Sequence, residues 1–244
     1  MCRHLAYLGP PRPLAALLFD PPHSLSHQSW APSDMRGGGT INADGFGVGW
    51  HTPAGPVRYR RATPLWSDTS LPGLAASVTA GSVLAAVRSA TAGMPVTENA
   101  AAPFAAGPWL FSHNGVVRGW PESMAKLAGT LPVTDLLTLD APTDAALLWA
   151  LVRSRLHEGP AAALAATVAE VERAAPGSRL NLLLTDGTTI VATTGGHALS
   201  VRDRDGVTVA SEPLDDDPAW RAVDDRTLLV AGPAGLHLTS LGDA

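Results

Sequence analysis

The chain has 244 residues, of which 45% are hydrophobic and 16% are charged, a balance typical of a folded protein rather than a disordered one. Its net charge of -5 argues against a surface that binds nucleic acid or an anionic membrane. The single cysteine excludes an internal disulfide and fits a reducing, cytoplasmic setting. We expect neither a signal peptide nor a transmembrane helix, because no uninterrupted apolar run reaches about 18 residues.

The first half of the chain is predicted to contain short strands separated by turns. Five are expected, at Leu5–Leu8, Phe46–His51, Val57–Arg61, Val83–Arg88 and Trp109–His113. The first of these should end at Gly9-Pro10, and the last at Asn114-Gly115, a dipeptide typical of tight turns. Between the first two strands, Pro13–Asp20 indicates one or two helical turns.

The spacing of apolar residues changes in the middle of the chain. Thr143–Leu156 carries a helical apolar stripe, begins with a suitable N-cap and is followed by a glycine-proline pair. Ala161–Ala175 is predicted to be a second, alanine-rich helix. Six strands then follow, at Leu180–Thr185, Thr189–Thr194, Ala198–Arg202, Val207–Ser211, Thr227–Ala231 and Leu236–Ser240. The Asp186-Gly187 and Asp205-Gly206 pairs predict hairpin turns between them.

The order of these elements indicates the fold class. Strands come first, two helices lie in the middle, and strands return, which is an α+β pattern. Hairpin connections imply mainly antiparallel sheets, and two sheets between helical layers would bury the apolar face of every element. We find no repeat and no linker, so we expect residues 2–244 to form a single domain.

Cys2 is the first candidate for chemistry. If Met1 is removed, the chain begins with a residue that carries both a thiol and a free α-amine. An α-amine has a pKa of roughly 7.7–8.0 in peptides, so it can accept the thiol proton near neutral pH. One residue would then supply both nucleophile and base. Position alone, however, favours a buried and inert cysteine.

Further motifs occur in a fixed order after the MCRH start. They are NADGFGVGW at 42–50, AVRSATAG at 86–93, SHNG at 112–115, PTDAALL at 142–148 and SEPLDDDPAW at 211–220. Together they resemble class II glutamine amidotransferases of the N-terminal-nucleophile hydrolase superfamily, over most of the chain. Within that superfamily the pattern looks most like the amidohydrolases of the ergothioneine pathway, which remove glutamate from γ-glutamyl-hercynylcysteine sulfoxide. The resemblance implies an αββα sandwich, in agreement with the order of elements.

The resemblance also implies roles for five residues. Cys2 would attack the γ-carbonyl, while the Asn114 side-chain amide and the Gly115 backbone N–H would form the oxyanion hole. Arg88 would bind the substrate α-carboxylate, which a guanidinium fork can grip bidentately. Asp144 would bind the α-ammonium group. Without the resemblance, Arg88 could be an ordinary surface arginine and Asp144 an acid that stabilises a helix N-terminus. Asn114-Gly115 could be an ordinary turn.

Two departures from the family pattern bear on the substrate. Ala92 stands where many class II amidotransferases have a histidine. The segment NAAAPF at 99–104 lacks the second histidine of the family pattern. An N-terminal amine needs neither for catalysis, so the departures affect the contacts to glutamine and favour the ergothioneine branch. Two rival hypotheses stay open: a glutaminase subunit that supplies ammonia to a separate synthase chain, and a catalytically silent binding subunit.

Metals, cofactors and macromolecular partners are not expected. A zinc site could be imagined from Cys2 together with His4, His27 and His113. The spacing of these residues, however, fits no standard zinc pattern. The sequence therefore predicts no metal and no cofactor. It predicts a small γ-glutamyl substrate as the partner, with no nucleic acid and no membrane, and it leaves a homodimer open.

Overall fold

The computed structural model describes residues 2–34, 36 and 41–242, and Met1 lies outside these ranges. Its strands are β1 (Arg3–Pro13), β2 (Phe46–Thr52), β3 (Gly55–Arg61), β4 (Thr79–Val87), β5 (Phe104–Ala106), β6 (Trp109–Val116), β7 (Arg179–Thr185), β8 (Ile190–Thr193), β9 (Ser200–Asp203), β10 (Val207–Ala210), β11 (Arg221–Ala222), β12 (Thr227–Gly232) and β13 (Gly235–Ser240). Its α-helices are α1 (Ala15–Leu18), α2 (Leu25–Gln28), α3 (Leu71–Ser77), α4 (Ala125–Ala128), α5 (Val133–Leu137), α6 (Asp144–Arg155) and α7 (Pro160–Ala174). Within the described ranges, no helix is long and apolar enough to cross a membrane.

The strands form two sheets whose neighbouring strands all run antiparallel. The first sheet has seven strands in the order β11-β9-β10-β1-β4-β2-β3, and the second has six in the order β13-β12-β8-β7-β6-β5. The N-terminal strand β1 therefore lies in the middle of the first sheet, between β10 and β4. This position places the start of the chain inside the sheet rather than at a fraying edge.

Three layers of apolar packing hold the two sheets and the helices together. Residues between the sheets include Ala6, Leu84, Leu110, Leu183 and Val209. The outer face of the first sheet packs against α1 and α3, and the outer face of the second packs against α6 and α7. The fold is thus the αββα sandwich that the sequence predicts.

Side-chain alternation along β1 decides which way the N-terminal residues point. Leu5 and Tyr7 pack on the helix side of the first sheet, whereas Ala6 lies between the sheets. His4 also lies between the sheets, because its ring contacts the second sheet. Since successive residues of a strand point to opposite faces, Cys2 has the parity of the inter-sheet residues.

The strand β6 shows the same alternation across the gap. Phe111 stacks on Trp149 of α6, with ring centroids 5.3 Å apart, so it faces the helices. Leu110 and Ser112 face the first sheet. Asn114 has their parity, and its side chain also contacts the first sheet.

The first strand is longer than the sequence predicts. Instead of ending at Gly9-Pro10, β1 continues to Pro13 and pairs again with β4 at its end. Its register shifts between Leu8 and Arg12. Pro10 and Pro11 therefore lie at an irregularity, where a missing N–H costs no ladder hydrogen bond.

The prediction of a turn at Asn114-Gly115 is wrong. The strand β6 continues to Val116, and Asn114 pairs in register with Asn181 of β7. A Cβ atom built on Gly115 would overlap the carbonyl oxygen of Arg179. Glycine at this position therefore permits the close approach of β7 rather than a reversal of the chain.

The helices and hairpins predicted for the second half of the chain are confirmed. The hydroxyl of Thr143 caps α6 by accepting the backbone N–H of Ala146 at 3.2 Å. Asp205 and Gly206 both have positive φ, at 54° and 97°, in the three-residue loop between Asp203 and Val207, which pair with each other. The sequence does not predict the short elements α2, α3, α4, α5, β5 and β11.

Candidate active site

A cleft opens where the two sheets meet the N-terminus of α6. It has about 490 Å³ of free space, part of it open to solvent. Four of the five predicted site residues line it: Cys2, Arg88, Gly115 and Asp144. Cys2 precedes β1, Arg88 follows β4, Gly115 lies in β6 and Asp144 begins α6. The fold thus gathers residues that are far apart in the sequence.

The register of the first sheet explains why Cys2 lies beside Arg88. Arg3 pairs with Val87, so antiparallel geometry places the preceding and following residues opposite each other. The Cys2 thiol donates to the carbonyl oxygen of Ser89, with Sγ 3.7 Å from that oxygen. The Arg3 guanidinium donates to the Cys2 carbonyl at 3.4 Å. Cys2 is therefore held at both its side chain and its backbone.

Arg88 is fixed by the segments that surround it. Its Nη1 donates to the carbonyl of Pro95 at 2.8 Å, and its side chain is largely buried. The Arg88 N–H donates to the Gly45 carbonyl at 2.7 Å, and its own carbonyl accepts the Asp44 N–H at 2.9 Å. The Asp44 carboxylate accepts the N–H of Ala90 at 2.8 Å. The glycine-rich motif thus shapes the turn after β4, a role that the sequence reasoning missed.

Asp144 accepts hydrogen bonds at both of its carboxylate oxygens and also lines the cleft. Its Oδ1 accepts the N–H of Ala145 at 2.8 Å, at the N-terminus of α6. Its Oδ2 accepts the N–H of Val117, just after β6, at 3.1 Å. The carboxylate lines the cleft while the helix dipole and two N–H donors stabilise its negative charge.

Asn114 and Gly115 occupy different surroundings within β6. Gly115 lines the cleft, whereas Asn114 is fully buried between the sheets and does not appear among the lining residues. The Asn114 Nδ2 donates to the hydroxyl of Ser211 at 3.2 Å. The ring of His113 lies over Gly115 and its Nε2 is 3.0 Å from the carbonyl oxygen of Arg179.

Three buried histidines surround this part of the sandwich. Burial, followed by the charges of His113 and His197, lowers the pKa of His4 to about 3. Burial, followed by the charge of Arg179, lowers the pKa of His197 to about 3. Both rings are therefore neutral at pH 7. In the described part of the chain, no group of three or more His, Cys, Asp or Glu residues could hold a metal ion.

The segment that begins at Ser211 supports the site, although the sequence assigns no role to its individual residues. The Glu212 carboxylate accepts the backbone N–H groups of Ser33 and Asp34, at 3.0 and 2.8 Å. The Arg3 guanidinium donates to the carbonyl of Asp34. These bonds tie the residue next to Cys2 to the loop after α2. The SEPLDDDPAW motif was the signal that could have pointed to this role.

Comparison with known proteins identifies the family. The family described as "Glutamine amidotransferases class-II" matches residues 13–206. Two curated proteins named "Gamma-glutamyl-hercynylcysteine sulfoxide hydrolase" are similar to this chain. The protein from Mycolicibacterium smegmatis is 45% identical over 99% of this chain and 100% of its own length. The protein from Mycobacterium tuberculosis is 42% identical over 100% of this chain and 98% of its own length.

A solved structure supports the same assignment. A "glutamine aminotransferase class-II domain protein" from Silicibacter pomeroyi matches with a TM-score of 0.70 and 28% identity. The match covers 99% of this chain and 100% of that one. On the family match, the full-length relatives and the fold, this chain belongs to the class II glutamine amidotransferases.

Proposed function

We propose that this protein is a hydrolase that cleaves the γ-glutamyl amide of γ-glutamyl-hercynylcysteine sulfoxide, releasing glutamate and hercynylcysteine sulfoxide. The observation that carries the proposal is the cleft that joins Cys2, Arg88, Gly115 and Asp144. It occurs in a chain that is 41–45% identical, over nearly its full length, to hydrolases named for that substrate. A small molecule is the partner that such a cleft fits.

The charges in the cleft match the two ends of a glutamyl group. Arg88 offers a guanidinium to the α-carboxylate, and Asp144 offers a carboxylate to the α-ammonium. Both are nearly buried, at 8% and 6% exposure, so solvent screens their contacts with a bound substrate only weakly. Holding both ends would fix the γ-carbonyl in front of the nucleophile.

The reaction proceeds through a thioester. After removal of Met1, the α-amine of Cys2 takes the thiol proton, and the thiolate attacks the γ-carbonyl carbon to form a C–S bond. The Asn114 amide and the Gly115 N–H stabilise the oxyanion. The amine then protonates the leaving nitrogen as the C–N bond breaks. It next activates a water that hydrolyses the thioester, releasing glutamate and restoring the thiol.

The same proposal includes the setting of the enzyme. Residues 2–244 act as one domain, which is supported by sheets that draw strands from both ends of the chain. The enzyme works in the cytoplasm without nucleic acid or membrane partners, which is supported by its net negative charge and its single cysteine. A homodimer is left open.

The test is to measure kcat/KM for glutamate release from the sulfoxide, from glutamine and from γ-glutamylcysteine. We expect the sulfoxide to exceed glutamine by at least about 100-fold, because the leaving group adds contacts in the transition state. A preference for glutamine would instead indicate a glutaminase that supplies ammonia. Release from none of the three, by protein that mass spectrometry shows to lack Met1, would indicate a silent subunit.

A further inference from the structure

The hydroxyl of Ser211 lies at a junction of three hydrogen bonds. It accepts the backbone N–H of His4 at 3.0 Å and the Asn114 Nδ2 at 3.2 Å, and it donates to the His4 carbonyl at 3.2 Å. The Ser211 backbone N–H donates to the same carbonyl at 2.9 Å. Ser211 is almost fully buried, at 1% exposure. The Ser211 side chain, directly after β10, is thus bonded to both β1 and β6.

These bonds use the full capacity of a hydroxyl group. A serine hydroxyl has one hydrogen and two lone pairs. The hydrogen points to the His4 carbonyl, and the His4 N–H occupies one lone pair. The remaining lone pair accepts from the Asn114 NH2 group, which therefore faces Ser211 in place of the amide oxygen. Ser211 therefore determines the orientation of the Asn114 amide.

The bond to Ser211 is also the main anchor of that amide. Among the described residues, the Asn114 Oδ1 is buried without a hydrogen-bond partner, so the side chain is held through Nδ2 alone. Ser211 takes one of the two Nδ2 hydrogens, and the part of the chain that the structure describes offers no acceptor to the other. A fixed donor stabilises an oxyanion better than one that must rotate into place.

We infer that Ser211 is a positioning residue for the oxyanion hole, which holds the Asn114 amide with one hydrogen engaged and the other directed at the reacting carbonyl. The inference rests on the proposed function, because it assigns a partner to the Asn114 donor of that mechanism. Ser211 lies 97 positions from Asn114 in the sequence, directly after β10 of the opposite sheet. Ser211 itself touches no reacting atom.

The test is a double-mutant cycle of Ser211→Ala and Asn114→Ala, run on the γ-glutamyl compound that the wild type cleaves fastest. Ser211→Ala should lower kcat by about three- to tenfold, the range expected for one lost hydrogen bond. The KM should change less than about twofold, because Arg88 and Asp144 hold the glutamyl group. In the Asn114→Ala background the same change should lower kcat by less than about twofold.

Thr194→Val is the matched control. The Thr194 hydroxyl is also buried between strands, accepts the N–H of Thr227 at 2.8 Å and donates to the carbonyl of Asp224 at 2.7 Å. It does not contact Asn114, so the control should lose stability with kcat unchanged. If Ser211→Ala fails to fold, Ser211→Cys keeps a side chain there with a much weaker acceptor, and the same loss of kcat is expected.

Two results would overturn the inference while the proposed function stands. One is an active wild type whose kcat does not change in the Ser211 variants. The other is an equal loss of kcat in both backgrounds of the cycle, which would mean that Ser211 acts through β1 rather than through Asn114. A wild type that releases no glutamate from any γ-glutamyl compound would instead overturn the proposed function, and this inference with it.

Discussion

At the residue scale, a backbone group holds each of three polar side chains in the cleft. The Cys2 thiol is bonded to Ser89, the Arg88 guanidinium to Pro95, and the Asp144 carboxylate to Val117. A guanidinium has five donors and a carboxylate about four acceptor sites, so these bonds orient the groups without exhausting them. Such preorganised groups need little rearrangement when a substrate arrives.

Asp144→Asn separates the binding role of this residue from its structural role. Asparagine keeps the shape and one acceptor oxygen but loses the charge. If Asp144 binds the α-ammonium, KM for the γ-glutamyl substrate should rise by about 10- to 100-fold, the value of a charge-assisted hydrogen bond. The free energy of unfolding should fall by no more than about 1 kcal/mol. Steady-state kinetics and urea denaturation measure the two effects.

A second first-turn aspartate provides the control for this variant. Asp135 lies in the first turn of α5 and pairs with Arg153 at 3.3 Å, away from the lining of the cleft. Asp135→Asn should leave KM unchanged. An Asp144→Asn protein with wild-type KM and reduced stability would show that the carboxylate only caps α6.

At the scale of elements, the geometry of the site depends on how β6 packs against β7. The strand places Asn114 in the gap between the sheets and Gly115 at the cleft, while the Arg179 carbonyl lies against Gly115. A side chain at position 115 has no space there. The absence of a Cβ is therefore a packing requirement of the strand pair, and it also opens the backbone to the cleft.

Gly115→Ala should lower the free energy of unfolding by about 1–3 kcal/mol, the usual cost of forcing extra volume into a packed interior. The matched control is Gly73→Ala in α3, where a built Cβ meets nothing within 4 Å. Alanine is the better helix former, so this control should keep or raise stability. Equal stability of the two variants in urea denaturation would contradict the packing argument.

The sequence predicts elements well where one local signal decides them. Periodicity and capping identify α6 and α7, and paired turn residues identify the hairpins. It fails where a distant contact decides the outcome: Asn114-Gly115 has the local chemistry of a turn, yet pairing with β7 keeps it extended. In the same way, motifs indicate Cys2, Arg88 and Asp144, but the Ser211 contact appears only when the two sheets are packed together.

At the scale of the whole molecule, closing the two sheets over each other buries histidines that must stay neutral. His4 is fully buried and His197 has 2% exposure. The pKa of each falls to about 3, against 6.5 in an unfolded chain, chiefly because burial disfavours the imidazolium. The folded protein therefore resists binding protons that the unfolded chain accepts.

Stability should consequently decrease as the pH falls. Between about pH 6.5 and pH 3 the unfolded chain binds more protons at these sites than the folded one, so each histidine costs up to about 1.4 kcal/mol per pH unit of acidification. Above pH 6.5 the effect vanishes. His197→Gln should flatten the decline of the unfolding free energy between pH 6.5 and 4.5. The His157 side chain is 74% exposed, so the control variant His157→Gln should leave this decline as it is in the wild type. Identical slopes of unfolding free energy against pH in the two variants would contradict the assignment.

The most direct test of the central claim is to trap the acyl group on the enzyme. Purified protein is mixed with γ-glutamyl-hercynylcysteine sulfoxide, quenched in acid during turnover and analysed by intact-mass and peptide mass spectrometry, with Cys2→Ala in parallel. We predict a chain without Met1 that carries a hydroxylamine-sensitive γ-glutamyl group on Cys2, and a Cys2→Ala variant that releases no glutamate. Glutamate release by the Cys2→Ala variant, or full activity in a chain that keeps Met1, would contradict the account.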